Sequence, residues 1–290
     1  MFSAHMFSVQ DNTGIERRYF NFIGVGVEAL TYGDMEALID KWIGNKSGRS
    51  HHIACLNAFC VSLALFDSRL RDIYNSSDIA GPDGMPFVRW IRLFMNRPCD
   101  RFAAPDITLY LAERSREKGY TFYLYGGAPD VLEVMKVFLT KRFPHIRIIG
   151  ACSPPFRALS DSEDDAICAE INLLKPDIIL VGLGTPKQDY WIDEHLKKIR
   201  GSVVIASGAT FDFFGGRIKM APQWVRLSGF EWLYRWMSPD GKRLSRRYTH
   251  YNFYFVSRFV KQLIGASSTS LTRKFRPDER AIKRQNIRSK

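Results

Sequence analysis

Short apolar runs, most of them ending at glycine, punctuate the chain: "TFYLYGG" (121–127), "IRIIGAC" (146–152), "DIILVGLG" (177–184) and "SVVIASG" (202–208). Each is too short for a core helix and too uniformly apolar for a strand with one wet face. Stretches of helical period lie around and between them, near 105–118, 129–143, 161–174 and 187–199. A strand buried on both faces needs helices above and below it. The alternation therefore constrains the chain to an α/β class: a mostly parallel sheet with helices on both faces. Earlier runs at 19–30, 51–57 and 78–82 read as further strands, with helices expected near 34–46 and 58–74. Ligands in such folds bind beyond the carboxyl ends of the strands. The residues just past each strand are thus the ones to weigh.

Asp83 follows a strand in "AGPDGMP", where flanking glycine and proline fix a tight turn. It reads either as a turn aspartate bonding its own backbone or as a general base at the mouth of the sheet. Asn57, closing "ACLN", is a helix N-cap or an amide donor to a ligand. Gly126 and Gly127 let backbone N–H groups approach a phosphate at a helix start, though an ordinary strand–helix turn uses the same residues. In "GLGTPKQDYW", Thr185 suits an N-cap and Pro186 a first helical turn, which places Lys187 and Gln188 at the positive end of a helix, where an anion is held. Asp189 in that turn complements the dipole. Asp212, in "GATFDFFGG", is a ligand contact or a turn residue. The pair His51-His52 reads as structural.

Charge is unevenly distributed. The chain carries a formal +12, and residues 235–290 account for all of it, with 15 Lys+Arg against 3 Asp+Glu. Arg235, Arg243, Arg246 and Arg247 lie in that segment among aromatics, a composition suited to phosphates and to an anionic membrane surface. It also suits nucleic acid, and a basic-tail nucleic-acid-binding protein is the competing reading, one that requires affinity to fall steeply with salt. No P-loop, GxSxG, HExxH or GxGxxG with a partner acid occurs. The five cysteines form no CxxC and no zinc spacing, so neither a metal nor another cofactor is expected. An odd cysteine count without a secretion signal implies reduced thiols and a cytoplasmic protein. The boundaries expected are a flexible N-terminus over 1–18, the α/β domain over 19–220, a basic aromatic helical appendage over 221–262, and a disordered basic tail over 263–290.

"NAF" at 57, "PDG" at 82–84, "RFAAPD" at 101–106, "FYLYGGAPDV" at 122–131, "PDIILVGLGTPKQDYWI" at 176–192, "GATFDFFGGRIKMAPQWV" at 208–225 and "GFEWLYRW" at 229–236, in that order, resemble the WecB/TagA/CpsF family of bacterial glycosyltransferases. The resemblance runs from about residue 20 to 250. It implies a metal-independent, inverting transfer of N-acetylmannosamine, N-acetylmannosaminuronic acid or glucose from a UDP-sugar to a polyprenyl-diphosphate-linked sugar, at the inner face of the plasma membrane, in surface-polysaccharide synthesis. It implies an appendage that helps close the site and reaches the membrane, and no nucleic-acid partner. It implies a Rossmann-like fold. By matching position, Asp83 is the expected base, Gln188 is expected to join it as a catalytic residue, and Asn57, Arg101, Gly126, Gly127 and Gln188 are expected pocket and nucleotide-sugar residues. The chain departs from the family pattern in having Asp189 where Glu is usual and Met220 where Arg is usual. The resemblance leaves the oligomeric state open.

Overall fold

A computed structural model of the chain describes residues 5–10, 16–45, 48–237 and 250–265. Three strands come first: β1 (Met6–Gln10), β2 (Glu16–Phe22) and β3 (Val25–Glu28). Then follow α1 (Tyr32–Gly44), β4 (His51–Leu56), α2 (Ala58–Phe66), α3 (Ser68–Ser76), β5 (Ile79–Pro82), α4 (Met85–Met95) and α5 (Ala104–Lys118). The chain continues through β6 (Thr121–Gly126), α6 (Pro129–Arg142), β7 (Arg147–Cys152), α7 (Asp161–Leu174), β8 (Ile178–Gly182), α8 (Lys187–His195), β9 (Val203–Ala206) and α9 (Gly208–Phe214). The last helices are α10 (Gln223–Ser228), α11 (Glu231–Met237) and α12 (Asn252–Ile264).

The six strands β4–β9 form one parallel sheet in the order β5-β4-β9-β8-β6-β7. Every residue of β6 and β9 is buried, as continuous apolar strands covered on both faces require. One face packs Ile53, Phe122, Leu124, Ile178, Leu180 and Ile205 against α1, α5, α6 and α9. The other packs Tyr123, Tyr125, Ile179, Val181 and Val204 against α7 and α8.

The first 30 residues depart from expectation. The stretch 19–30, read as one strand, is a hairpin: Ile23 and Gly24 both take positive φ, 53° and 92°, and the chain reverses there. Two successive positive-φ residues match the twist of antiparallel strands, and Asn21 Oδ1 accepts from the Gly24 N–H at 2.7 Å to close the turn. Residues 6–10 lie in the segment expected to be flexible, yet β1 pairs antiparallel with β2, and Phe7 stacks on Tyr19 at 5.1 Å. A sequence window cannot see this pairing, because the alternation in β1 spans only Phe7–Gln10 and its partner begins six residues later.

α12 lies against this hairpin. Phe255 and Phe259 enter the aromatic cluster of Phe20, Phe22, Phe87 and Trp90. Gln262 Oε1 accepts from the Ile23 N–H, and its Nε2 donates to Asn21 O, both at 2.7 Å. The appendage is thus part of the core at its far end. A deletion of residues 235–290 removes buried Phe255, whose burial stabilises the fold by about 2 kcal/mol. His51 and His52 are structural: His51 stacks on Trp42 at 4.2 Å and meets Asp78 at 3.0 Å, and His52 is buried.

Candidate active site

The parallel strands all end on one side of the sheet, and a cavity of about 1200 Å3 runs across those ends. Every strand contributes to its wall: Asp83 follows β5, Asn57 follows β4, Gly208 and Asp212 follow β9, Lys187 and Gln188 follow β8, Gly127 follows β6, and Pro154 and Pro155 follow β7. Single small-molecule pockets run to roughly 300–1,000 Å3, so this one has room for a donor and an acceptor side by side.

Asp83 is fixed from two sides. Its N–H donates to Leu56 O at 2.8 Å, and its Oδ2 accepts from Asn57 Nδ2 at 3.1 Å. Asn57 combines its two readings. Its Oδ1 accepts from the Phe59 and Cys60 N–H groups and caps α2, while its amide nitrogen is directed to the Asp83 carboxylate rather than into open space. The N-cap thereby becomes the strut that aims the carboxylate.

Gly126 and Gly127 take φ of 122° and 70°, and the Gly127 N–H donates to Gly182 O at 3.2 Å. The α6 helix that follows has no N-cap side-chain bond; its first position is Pro129, which has no N–H, and the Asp130 carboxylate accepts from the Asp130 and Val131 N–H groups. Lys187 is exposed on the wall, and Asp212 lines it from α9. Arg235 reaches the wall from α11, with its guanidinium 5.3 Å from the Phe213 ring centre. Arg243, Arg246 and Arg247 lie outside the described residues.

Two expected contacts are placed differently. Gln188 borders the cavity, but its polar atoms are turned onto its own loop: Oε1 accepts from the Gly184 N–H at 3.0 Å, and Nε2 donates to Thr185 Oγ1 at 3.3 Å. α8 begins at Lys187 without the Thr185 side-chain cap, because that hydroxyl is occupied by Gln188. Arg101 is 8% exposed and does not border the cavity. It is locked between Asp106 and Glu231. The cost of its burial is outweighed by Asp106, Asp83 and Glu231, which hold its basicity above the ordinary arginine value.

Asp189 is 2% exposed and turns away from the cavity toward Tyr74 of α3. Burial pushes its carboxyl up to about 7, opposed in part by the Thr185 and Tyr74 hydroxyls. An acid with a raised folded-state value stabilises the fold below its unfolded value, near 4, and that stability is lost as pH rises through about 7. Asp189→Asn should abolish this decline and raise stability above pH 7 by about 4 kcal/mol. Chemical denaturation of both proteins from pH 5 to 8 measures it; equal pH slopes would refute the assignment.

The sequence reading missed the wall built by α7 and α8. Tyr125, Trp191 and His195 stack in series, each pair with centroids 4.2 Å apart. His195 Nε2 meets Asp164 Oδ1 at 2.6 Å, Lys198 Nζ donates to Asp164 Oδ2 at 2.7 Å, and His195 Nδ1 meets Trp191 O at 2.6 Å. Asp164, Cys168 and His195 have the spacing of metal ligands, and two of them, Asp164 and His195, already meet each other. The i, i+4 spacing of Trp191 and His195 was the available signal.

Comparison with known proteins gives concordant results. The profile of the family described as "Glycosyl transferase WecG/TagA/CpsF family" matches residues 20–269. The chain is 31% identical over 186 residues to an N-acetylglucosaminyldiphosphoundecaprenol N-acetyl-beta-D-mannosaminyltransferase of Bacillus subtilis (strain 168), covering 63% of this chain and 70% of that protein. It is 27% identical over 229 residues to proteins of the same name from Staphylococcus aureus strains MW2 and NCTC 8325, covering 78% of this chain and 87% of each.

Proposed function

This chain belongs to the WecG/TagA/CpsF family of glycosyltransferases, and from that premise we propose that it moves an N-acetylmannosamine-type sugar from its UDP-linked form to a polyprenyl-diphosphate-linked N-acetylglucosamine. The observation that carries the reading is the doubly braced Asp83 carboxylate at one end of a cavity large enough for both substrates. The sugar is a proposal drawn from the names of the relatives.

In this mechanism the acceptor hydroxyl attacks the anomeric carbon as its proton passes to Asp83. The bond from that carbon to the UDP oxygen breaks, and the electron pair leaves with UDP. A single displacement inverts the anomeric centre. Lys187 and Arg235 stabilise the departing diphosphate without a metal. Gln188 holds the 184–188 loop in register.

Attachment to the inner membrane face is the second part of the proposal. No helix among the described residues is long and apolar enough to cross a membrane. Trp224 and Phe253 are 74% and 77% exposed, and Phe230, Trp236 and Ile264 are also exposed, beside a strongly basic C-terminal segment. Flotation with anionic vesicles should therefore succeed at low salt and fail at high salt. Flotation indifferent to lipid charge would refute an electrostatic attachment.

The decisive test measures UDP release across a panel of UDP-sugars with a synthetic polyprenyl-diphosphate N-acetylglucosamine acceptor. Acceptor-dependent release from UDP-N-acetylmannosamine is the expected result. Release from another UDP-sugar alone would overturn the donor assignment.

A further inference from the structure

We propose that Arg101 is a positioning residue, the body half of a latch that sets α11 so that Arg235 enters the cavity. Gly81 and Phe102 make the latch possible. A side chain at 81 would lie 2.5 Å from the Phe102 ring, so only glycine lets the segment around 102 run beside β5, where the Phe102 N–H donates to Pro82 O at 2.8 Å. That places Arg101 next to the Asp83 turn yet behind the cavity wall.

From there the guanidinium binds two carboxylates. Its Nε donates to Asp106 Oδ2 at 3.1 Å, Nη2 donates to the same oxygen, and Nη1 donates to Glu231 Oε2 at 2.6 Å. Asp106 also holds Arg226 of α10 through its other oxygen. Two arginines and two carboxylates thus form a neutral group that joins α5 to α10 and α11. Leu233 and Tyr234 donate to Phe230 O, which begins the α11 turn in the same place. Glu231 and Arg235 are four residues apart, so they share one face of α11. With Glu231 anchored at the body, Arg235 comes to rest over Phe213 on the cavity wall. The Arg101 guanidinium is held by two carboxylates and does not border the cavity, whereas Arg235 stands at the wall. Arg101, expected from the sequence as a pocket residue, acts through Arg235.

The test uses the full chain and two readouts. Glu231→Gln keeps the shape and removes the charge. We expect the donor KM to rise about tenfold with a smaller change in kcat, the scale of losing one charge-assisted hydrogen bond. Amide hydrogen exchange over residues 231–237 should quicken by a similar factor, with the rest of the body unchanged. In an Arg235→Ala background, Glu231→Gln should add less than about twofold to KM, because the latch then has nothing to deliver. Arg101→Lys, which cannot fork to both carboxylates, should reproduce the exchange result if Arg101→Gln proves unstable. Unchanged exchange in Glu231→Gln, or KM effects that multiply fully with Arg235→Ala, would overturn the latch. The kinetic arm rests on the transfer reading above; the exchange arm does not, so a failed donor assignment leaves the latch still decidable.

Discussion

Asp83→Asn should lower sugar transfer about a thousandfold while leaving UDP-sugar affinity nearly unchanged. Asparagine matches aspartate in shape. Its side-chain oxygen still accepts from Asn57 Nδ2, and its backbone N–H still donates to Leu56 O. The turn and the cavity are therefore preserved, and only the capacity to take a proton is lost. Removing a positioned base typically costs a hundredfold to ten-thousandfold. Single-turnover rates and calorimetric binding of the UDP-sugar, measured on one preparation, separate the two effects. Turnover within tenfold of the parent would eliminate Asp83 as the base. Lost binding alongside lost turnover would instead make Asp83 part of the donor site.

A second large effect is expected at the glycine pair. Gly126 takes a φ of 122°, outside the range L side chains accept, and a β-carbon there would lie 2.6 Å from the Gly182 carbonyl carbon. The obstacle is backbone of the neighbouring strand, which cannot swing aside. Gly126→Ala should destabilise the protein by about 3–4 kcal/mol, combining conformational strain and overpacking. It should also abolish UDP-sugar binding, since separating β6 from β8 opens the cavity floor. Gly127 differs. Its φ of 70° is the left-handed region, and the nearest atom to a new β-carbon is a Phe211 ring carbon at 3.0 Å. Gly127→Ala should therefore cost only about 1–2 kcal/mol and leave measurable binding. Thermal melts and UDP-sugar titrations of the two variants check the order. Equal losses would show that the strand contact at Gly126 is not what matters.

The physics behind these predictions differs in how visible it is from sequence. The alternation of apolar runs with helical periods is a local signal, and it was sufficient for the parallel sheet and for placing the site past the strand ends. Asp83, Asn57 and the glycines were legible because turn chemistry and capping act within a few residues of themselves. The same locality hides the rest. Gln188 borders the cavity, but nothing in a linear window says that its amide would also engage the Gly184 N–H and the Thr185 hydroxyl. Asp189 looked like a dipole complement, but the packing of α8 on α3 buries it beside Tyr74. Residues 6–10 carry only a four-residue alternation, Phe7 to Gln10, and form a strand by pairing with β2.

The sequence by itself determined the class of fold, the end of the sheet where the cavity lies, and the turn that sets Asp83 at its edge, since periodicity, turn residues and caps are properties of neighbouring residues. Only the tertiary structure decided which polar groups border the cavity and which are turned onto the protein. Arg101 makes the point: its two carboxylate partners lie 5 and 130 residues away, and the second is brought to it by the docking of α11. Burial of a charge demands a partner, but the partner is chosen by packing, which a sequence read residue by residue does not display.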